Sequence, residues 1–161
     1  FREAARDAIE LAQGPPGGLA AATVVIDAAA EYKKNLKGEL DEELAPFMDE
    51  KGRPEDAYRG AIKRIETRFK RKERRAERDY VDWVLLAVSA LLRDRIAAGV
   101  GVRAADLLNP DLAPGDVLGV TRAAKGLAGI EAARAELADD FNLNVRLVLE
   151  RAFLSLVELA A

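Results

Sequence analysis

The side chains that could do chemistry in this 161-residue sequence are carboxylates, amines and guanidinium groups. The chain has no Cys and no His, which excludes thiol nucleophiles, disulfides, imidazole acid–base catalysis and zinc sites built on those ligands. Its only two serines, Ser89 and Ser155, stand in apolar helical segments, with no histidine to act as a base. We therefore expect no hydrolase chemistry of the nucleophile-and-base kind.

Neighbouring carboxylates are the remaining candidates for metal binding or proton transfer. Examples are Glu39 with Glu42 and Glu43, and Asp139 with Asp140. Such pairs could hold magnesium or serve as acid and base, but a solvated helix face or helix end explains them more simply. The glycine cluster Gly14 to Gly18 lacks the Lys-Ser/Thr pair of a phosphate loop. We expect no catalytic residue, no cofactor site and no metal site.

One basic stretch, Arg68 to Asp79, is the sharpest candidate for binding, and it lies within a wider segment of net positive charge. From Lys63 to Asp79 there are nine Lys or Arg against four Asp or Glu, a net charge of +5, while the whole chain sums to −3. Arginines here could contact nucleic-acid phosphates without sequence preference, and the candidates are Arg71, Arg74, Arg75 and Arg78. The carboxylates lie three or four residues from these cations, which also fits a self-paired exposed helix. Both interpretations stay open.

The composition indicates that helices position these residues. Half of the residues are hydrophobic and only 6% are aromatic, and Ala is the commonest type, which suits close-packed helices. The length fits one domain with its own core. The apolar run in the central helix, 83–92, is far shorter than the ~20 residues that cross a bilayer. We expect no membrane partner and a cytoplasmic location. Because the chain opens on Phe1 rather than Met, we also expect it to be one domain of a longer protein.

Apolar residues recur at helical spacing in five segments, which predicts five helices. The central helix, about 54 to 98, has a thin apolar stripe in its basic first half and a broadly apolar second half, which we place in the core with Trp83. The others are predicted at 1–12, 19–44, about 114–138 and 145–159. The acidic end of the second helix could pair with the basic half of the third, which predicts a charged hairpin arm, about 19–78, protruding from the body.

The last helix, Val145 to Leu159, is apolar around most of its circumference. Such a helix needs partners on more than one side. It is therefore either central to its own core, or it also contributes to an interface with another subunit. Asn142 or Asn144 can cap its first turn.

Several short motifs together resemble a known family. They are the A-I-K-x-x-E-x-R-x-K-R segment from Ala61, the entry Arg78, Asp79, Asp82, Trp83 into an apolar helix, Asn109-Pro110-Asp111, and the closing N-x-N-x-x-L-x-L-E from Asn142 to Glu150. The sequence resembles the C-terminal domain of delta-prime subunits of bacterial DNA polymerase III, which belong to the clamp loaders. The likeness covers most of the chain, most clearly Gly60 to Glu158.

The resemblance implies a non-catalytic collar domain. In that family, collar domains pack into a ring that holds the loader together, while ATP-binding subunits drive loading of the sliding clamp onto primed DNA. The implied partners are the collar domains of the gamma/tau and delta subunits, and DNA is an additional candidate partner. The candidate subunit interface is on the last helix and comprises Asn142, Asn144, Arg146, Leu147, Glu150, Arg151 and Leu154.

Overall fold

The computed structural model describes residues 1–14, 17–110, 119–139 and 143–157. Within these ranges the chain forms five α-helices and no strand, so the predicted all-α fold is confirmed. The helices are α1 (Arg2–Gln13), α2 (Gly17–Leu44), α3 (Arg59–Gly99), α4 (Val120–Asp139) and α5 (Val145–Leu154). Short 3₁₀ turns lie at Ala45–Phe47, Asp56–Tyr58 and Ala104–Asp106.

The helices form two compact units. Unit 1 comprises Phe1–Ala28 and Val81–Ala161, and unit 2 comprises Ala29–Tyr80. Helices α2 and α3 therefore each contribute residues to both units. The hairpin was predicted at 19–78, as an arm of a single domain, and that arrangement stays a prediction.

Unit 2 is an antiparallel pair of helices, the C-terminal part of α2 and the N-terminal part of α3. Its seam is a heptad-like series of buried side chains, contributed by Ala29, Leu36 and Leu44 of α2 and by Ile62, Phe69 and Ala76 of α3. Seven-residue spacing keeps one stripe of each helix against the other. The rings of Tyr32 and Tyr80 stack with their centroids 5.2 Å apart.

Ion pairs flank this seam and report its register. They join Lys33 to Glu77, Glu39 to Lys72 and Glu43 to Arg68. From the first pair to the second, the position advances six residues along α2 and retreats five along α3. The next step is four residues on each helix. The predicted pairing of an acidic α2 segment with a basic α3 segment is therefore confirmed.

The turn between the two helices is closed by one aspartate. The Asp49 carboxylate accepts hydrogen bonds from the backbone N–H groups of Lys51 and Arg53, both at 2.8 Å. The bond from the Arg53 backbone is the main reason that the pKa of Asp49 lies below its ordinary value. Gly52 supplies the positive φ, +70°, that the tight turn requires.

Removing one exposed ion pair from unit 2 should have little effect. We expect Lys72→Ala to change the free energy of unfolding by less than about 0.5 kcal/mol, since exposed pairs gain little over hydration. The side chains of Lys72 and Glu39 are both about half exposed. Chemical denaturation followed by helical circular dichroism measures this change. A loss above about 2 kcal/mol would contradict a unit held together mainly by its apolar seam.

Unit 1 has its core between α1, the start of α2, the second half of α3, α4 and α5. The α3 face in this core carries Val81, Val84, Leu85, Val88 and Leu92, all at most 2% exposed. This series follows the helical period but is rotated away from Trp83, which is 41% exposed. The prediction that Trp83 lies in the core is therefore wrong. The apolar residues of this segment surround so much of the helix that their spacing alone did not select the buried side.

The last helix ends earlier than predicted, at Leu154 rather than Leu159. After it, the N–H groups of Ser155, Leu156 and Val157 each bond to the carbonyl three residues back. This tighter winding leaves Leu156 fully buried, where its side chain fills the space that a side chain at Gly126 would need. Gly126 and Gly129 of α4 therefore allow the end of α5 and the turn after it to approach closely.

The loop after α3 is anchored by a buried carboxylate. Asp94 is 3% exposed and accepts hydrogen bonds from the backbone N–H groups of Leu108 and Asn109, at 2.9 and 2.8 Å. It also accepts one from Asn109 Nδ2 at 2.9 Å. Three donors satisfy a buried charge that would otherwise destabilise the fold.

Replacing this anchor should destabilise unit 1. We expect Asp94→Ala to lower the free energy of unfolding by about 2 kcal/mol, because it leaves three partly buried donors without their acceptor. Thermal melting monitored by circular dichroism measures the loss. Asp106→Ala, in the same loop, removes an exposed carboxylate that pairs with Arg103 and is the matched control, with an expected change below about 0.5 kcal/mol. Equal effects of the two variants would contradict the anchoring role.

Candidate interaction surfaces

The residues considered for catalysis occupy structural positions. Ser89 is fully buried in α3, and the hydroxyl of Ser155 donates to the carbonyl of Ala152. In the carboxylate cluster of α2, Glu39 pairs with Lys72 and Glu43 with Arg68. Asp140 lies outside the described residues. In the ranges that the structure describes, no group of three or more acidic side chains is arranged to hold a metal ion.

The last helix keeps two large apolar side chains in solvent. Leu147 and Leu154 are 61% and 52% exposed. They stand seven residues apart, two helical turns, and so lie on one face of α5. On the other side of the helix Val148, Leu149, Ala152 and Phe153 are buried. Most of the apolar circumference of α5 is thus used in the core, and the leucine pair 147/154 remains uncovered.

The polar interface candidates on α5 have partners within unit 1. Asn144 caps the helix, accepting a hydrogen bond from the N–H of Leu147 at 3.4 Å. Arg146 donates to Thr23 Oγ1 at 3.2 Å and lies 3.7 Å from Glu150. Arg151 pairs with Glu136 of α4. Asn142 lies outside the described residues.

A second apolar surface, on α3, was missed at the sequence level. Trp83 and Leu86, 41% and 47% exposed, line a groove of about 420 Å³ with Phe1, Ala87 and Ala90. The rings of Phe1 and Trp83 lie 6.4 Å apart between centroids. The signal was present in the sequence: positions 83, 86, 87 and 90 share one face of a helix, separate from the buried face.

Two motif residues of the family resemblance have structural roles. Asp82 accepts a hydrogen bond from Arg134 Nε at 2.8 Å, which joins α3 to α4 and raises the pKa of Arg134 above its ordinary value. Asn109 links the loop to Asp94 and accepts a hydrogen bond from Arg2 at 3.3 Å. Both residues therefore stabilise the helical packing of unit 1.

The four candidate arginines of the basic stretch divide into two groups. Arg71, Arg74 and Arg75 are exposed, and none of them has an ion-pair partner among the described residues. Arg78 is only partly exposed and takes part in an interaction within the chain. The structure thus leaves three of the four free to contact a ligand.

No helix in the described ranges is both long enough and apolar enough to cross a membrane. Comparison with protein-family models, with curated proteins and with solved structures found no match to this chain. An assignment of function therefore starts from the all-α fold and from the two apolar surfaces of unit 1.

Proposed function

We propose that this chain is a non-catalytic assembly domain that binds other helical subunits through unit 1. The observation that carries the proposal is the uncovered leucine pair 147/154 on α5. We assign an apolar helix of a different subunit as the partner of this surface. Contact between apolar side chains removes apolar area of both subunits from water, which favours binding.

The magnitude of the gain supports a role in binding. Covering a leucine side chain that is more than half exposed contributes on the order of 1 kcal/mol or more, at about 25 cal/mol per Å². Single exposed apolar residues are common on protein surfaces, but two on the same helix face can contact one partner helix together. Arg146 and Arg151 flank them, as expected for a polar rim around an apolar centre.

The groove on α3 gives unit 1 a second apolar surface. Its central residue, Trp83, belongs to the residue type most enriched among side chains that dominate binding energy. A subunit within a ring contacts its two neighbours through two different surfaces. The leucine pair on α5 and the Trp83 groove on α3 match that requirement.

The family resemblance described above supports one particular assembly. We propose that it is the collar of a bacterial clamp loader, with this chain as the collar domain of a delta-prime subunit of DNA polymerase III. Its partners would be the gamma/tau and delta collar domains, in the cytoplasm, and its role would be to hold the loader together during ATP-dependent loading of the sliding clamp. The closing motif supports this assignment, because two of its residues lie at the start of α5. Asn144 caps the helix, and Leu147 is an exposed apolar side chain in its first turn.

Chemical-shift mapping tests the surface. The ¹⁵N-labelled chain would be titrated with the unlabelled collar domain of the ATP-binding subunit from the same source. We expect the amide signals around Leu147 and Leu154, or around Trp83 and Leu86, to shift or broaden. Shifts confined to unit 2, or none at millimolar partner concentration, would contradict the proposal.

A further inference from the structure

We propose that the side of α3 turned away from the α2 seam binds the phosphate backbone of a nucleic-acid duplex. This outer basic face consists of Lys63, Arg64, Arg71, Arg74 and Arg75, all exposed. Subunit assembly as proposed above uses unit 1, so binding by this face of unit 2 is a separate activity. It does not depend on the assembly proposal.

The face arises from how α3 sits against α2. Ile62, Phe69 and Ala76 point into the seam, and each residue turns the helix by about 100°. Positions two or five residues after a seam position therefore point outward. Arg64 and Arg71 follow Ile62 and Phe69 by two residues, and Arg74 follows Phe69 by five, so they lie opposite the seam.

The carboxylates of the same segment lie on the seam side. Glu66 and Glu73 follow Ile62 and Phe69 by four residues, and Glu77 directly follows Ala76. The four-residue offset places Glu66 and Glu73 about 40° from the seam, and the one-residue offset places Glu77 about 100° from it, where it pairs with Lys33 of α2. The acidic and basic residues that alternate in the sequence are thus separated in space. The carboxylates that alternate with cations along the sequence therefore do not neutralise the positive charge of the outer face.

The ion pairs confirm this separation. The cations of α3 that pair across the seam are Arg68, with Glu43, and Lys72, with Glu39. Neither belongs to the outer basic face. The side chains of its five members have no hydrogen-bond or ion-pair partner among the described residues. The result is five positive charges within about 18 Å of helix, at about 1.5 Å per residue. Arg64, Arg71 and Arg74 lie opposite the seam, and Lys63 and Arg75 lie at the edges of the face, about 100° from the nearest seam residue.

The chemistry of the face favours nucleic-acid phosphates over the alternatives. Four of its five cations are arginines, whose planar donors bind phosphate in a bidentate manner. The face offers no large apolar side chain of the kind that amphipathic helices insert into a bilayer. It also lacks an aromatic residue for base stacking, since Phe69 is buried in the seam. Recognition through phosphates alone is independent of base sequence.

Fluorescence anisotropy of a labelled 20-base-pair duplex, titrated with the whole chain, tests the proposal. With five phosphate contacts, the slope of log K against log salt concentration is expected to approach about −4.5, at about −0.9 per contact. Arg71→Gln, Arg74→Gln and Arg75→Gln together should reduce the slope by about 2.7 and weaken binding at least tenfold near 50 mM salt. These side chains point away from the seam, so the helical circular dichroism should be unchanged.

The matched control removes the same charge elsewhere in unit 2. Lys34, Lys37 and Lys51 are exposed, and their triple replacement by glutamine should leave binding within about threefold of wild type. Equal weakening by both triple variants would overturn the outer basic face as the site, as would a wild-type chain that does not bind the duplex. Tighter binding to polyglutamate or to anionic vesicles than to the duplex would also overturn it.

Discussion

Replacing Leu147 and Leu154 together by aspartate is expected to abolish binding to a partner subunit while leaving the domain folded. In a complex, each aspartate would bring an unpaired charge into an apolar contact, which is strongly unfavourable. We expect the dissociation constant to rise at least about a hundredfold, equivalent to about 2.7 kcal/mol. Isothermal titration of the wild type and the variant against the partner collar domain measures the change.

The isolated domain should tolerate this pair of substitutions. Both side chains are more than half exposed, and Leu147 lies in the first turn of α5, where a carboxylate interacts favourably with the helix dipole. Ala128→Asp with Ala135→Asp is the control, because both positions are exposed on α4 and have the same seven-residue spacing. Wild-type affinity in the leucine variant, or an equal loss in the alanine control, would show that the leucine pair is not the contact.

Gly18→Ala is expected to destabilise unit 1 strongly. A Cβ at Gly18 would lie 2.7 Å from the backbone nitrogen of Leu154 and 2.9 Å from the carbonyl carbon of Phe153. Backbone atoms cannot rotate aside as a side chain can, so α2 and α5 would have to separate. We expect a loss of about 3 kcal/mol in the free energy of unfolding, measured by chemical denaturation.

Gly38→Ala is the internal control for this prediction. It lies in the same helix, α2, but a Cβ there would meet nothing within 4 Å. Alanine is the better helix former, so this substitution should stabilise the protein by about 0.5 to 1 kcal/mol. The two glycines should therefore give effects of opposite sign. Stabilisation by both would contradict close packing of α2 on α5.

Much of the fold could be predicted from the sequence because its helices are strongly periodic and clearly interrupted. The Gly14–Gly18 cluster and Pro46 separate the first three helices, and the opposite charges of α2 and α3 indicated the pairing seen in unit 2. The contacts between helices were harder to predict from the sequence. In the sequence Gly18 is only one member of the glycine cluster, although its lack of a side chain is what allows α5 to approach.

The candidate surfaces were only partly predictable, for two physical reasons. In the second half of α3 apolar residues surround most of the helix, so the sequence could not show that Val84 faces the core while Trp83 faces solvent. In the basic half, the position of each charge around the helix decides its role. Combining the heptad series from Ile62 with the helical rotation would have separated the outer cations from the paired ones.

The most direct measurement of the central claim is the molar mass of a mixture. The chain would be combined with the collar domains of the ATP-binding and delta subunits from the same source, and examined by size-exclusion chromatography with light scattering. The proposed assembly role predicts one species whose mass equals the sum of its components. Separate elution of each domain at its own mass, at concentrations up to about 100 μM, far above a Kd typical of stable complexes, would contradict it.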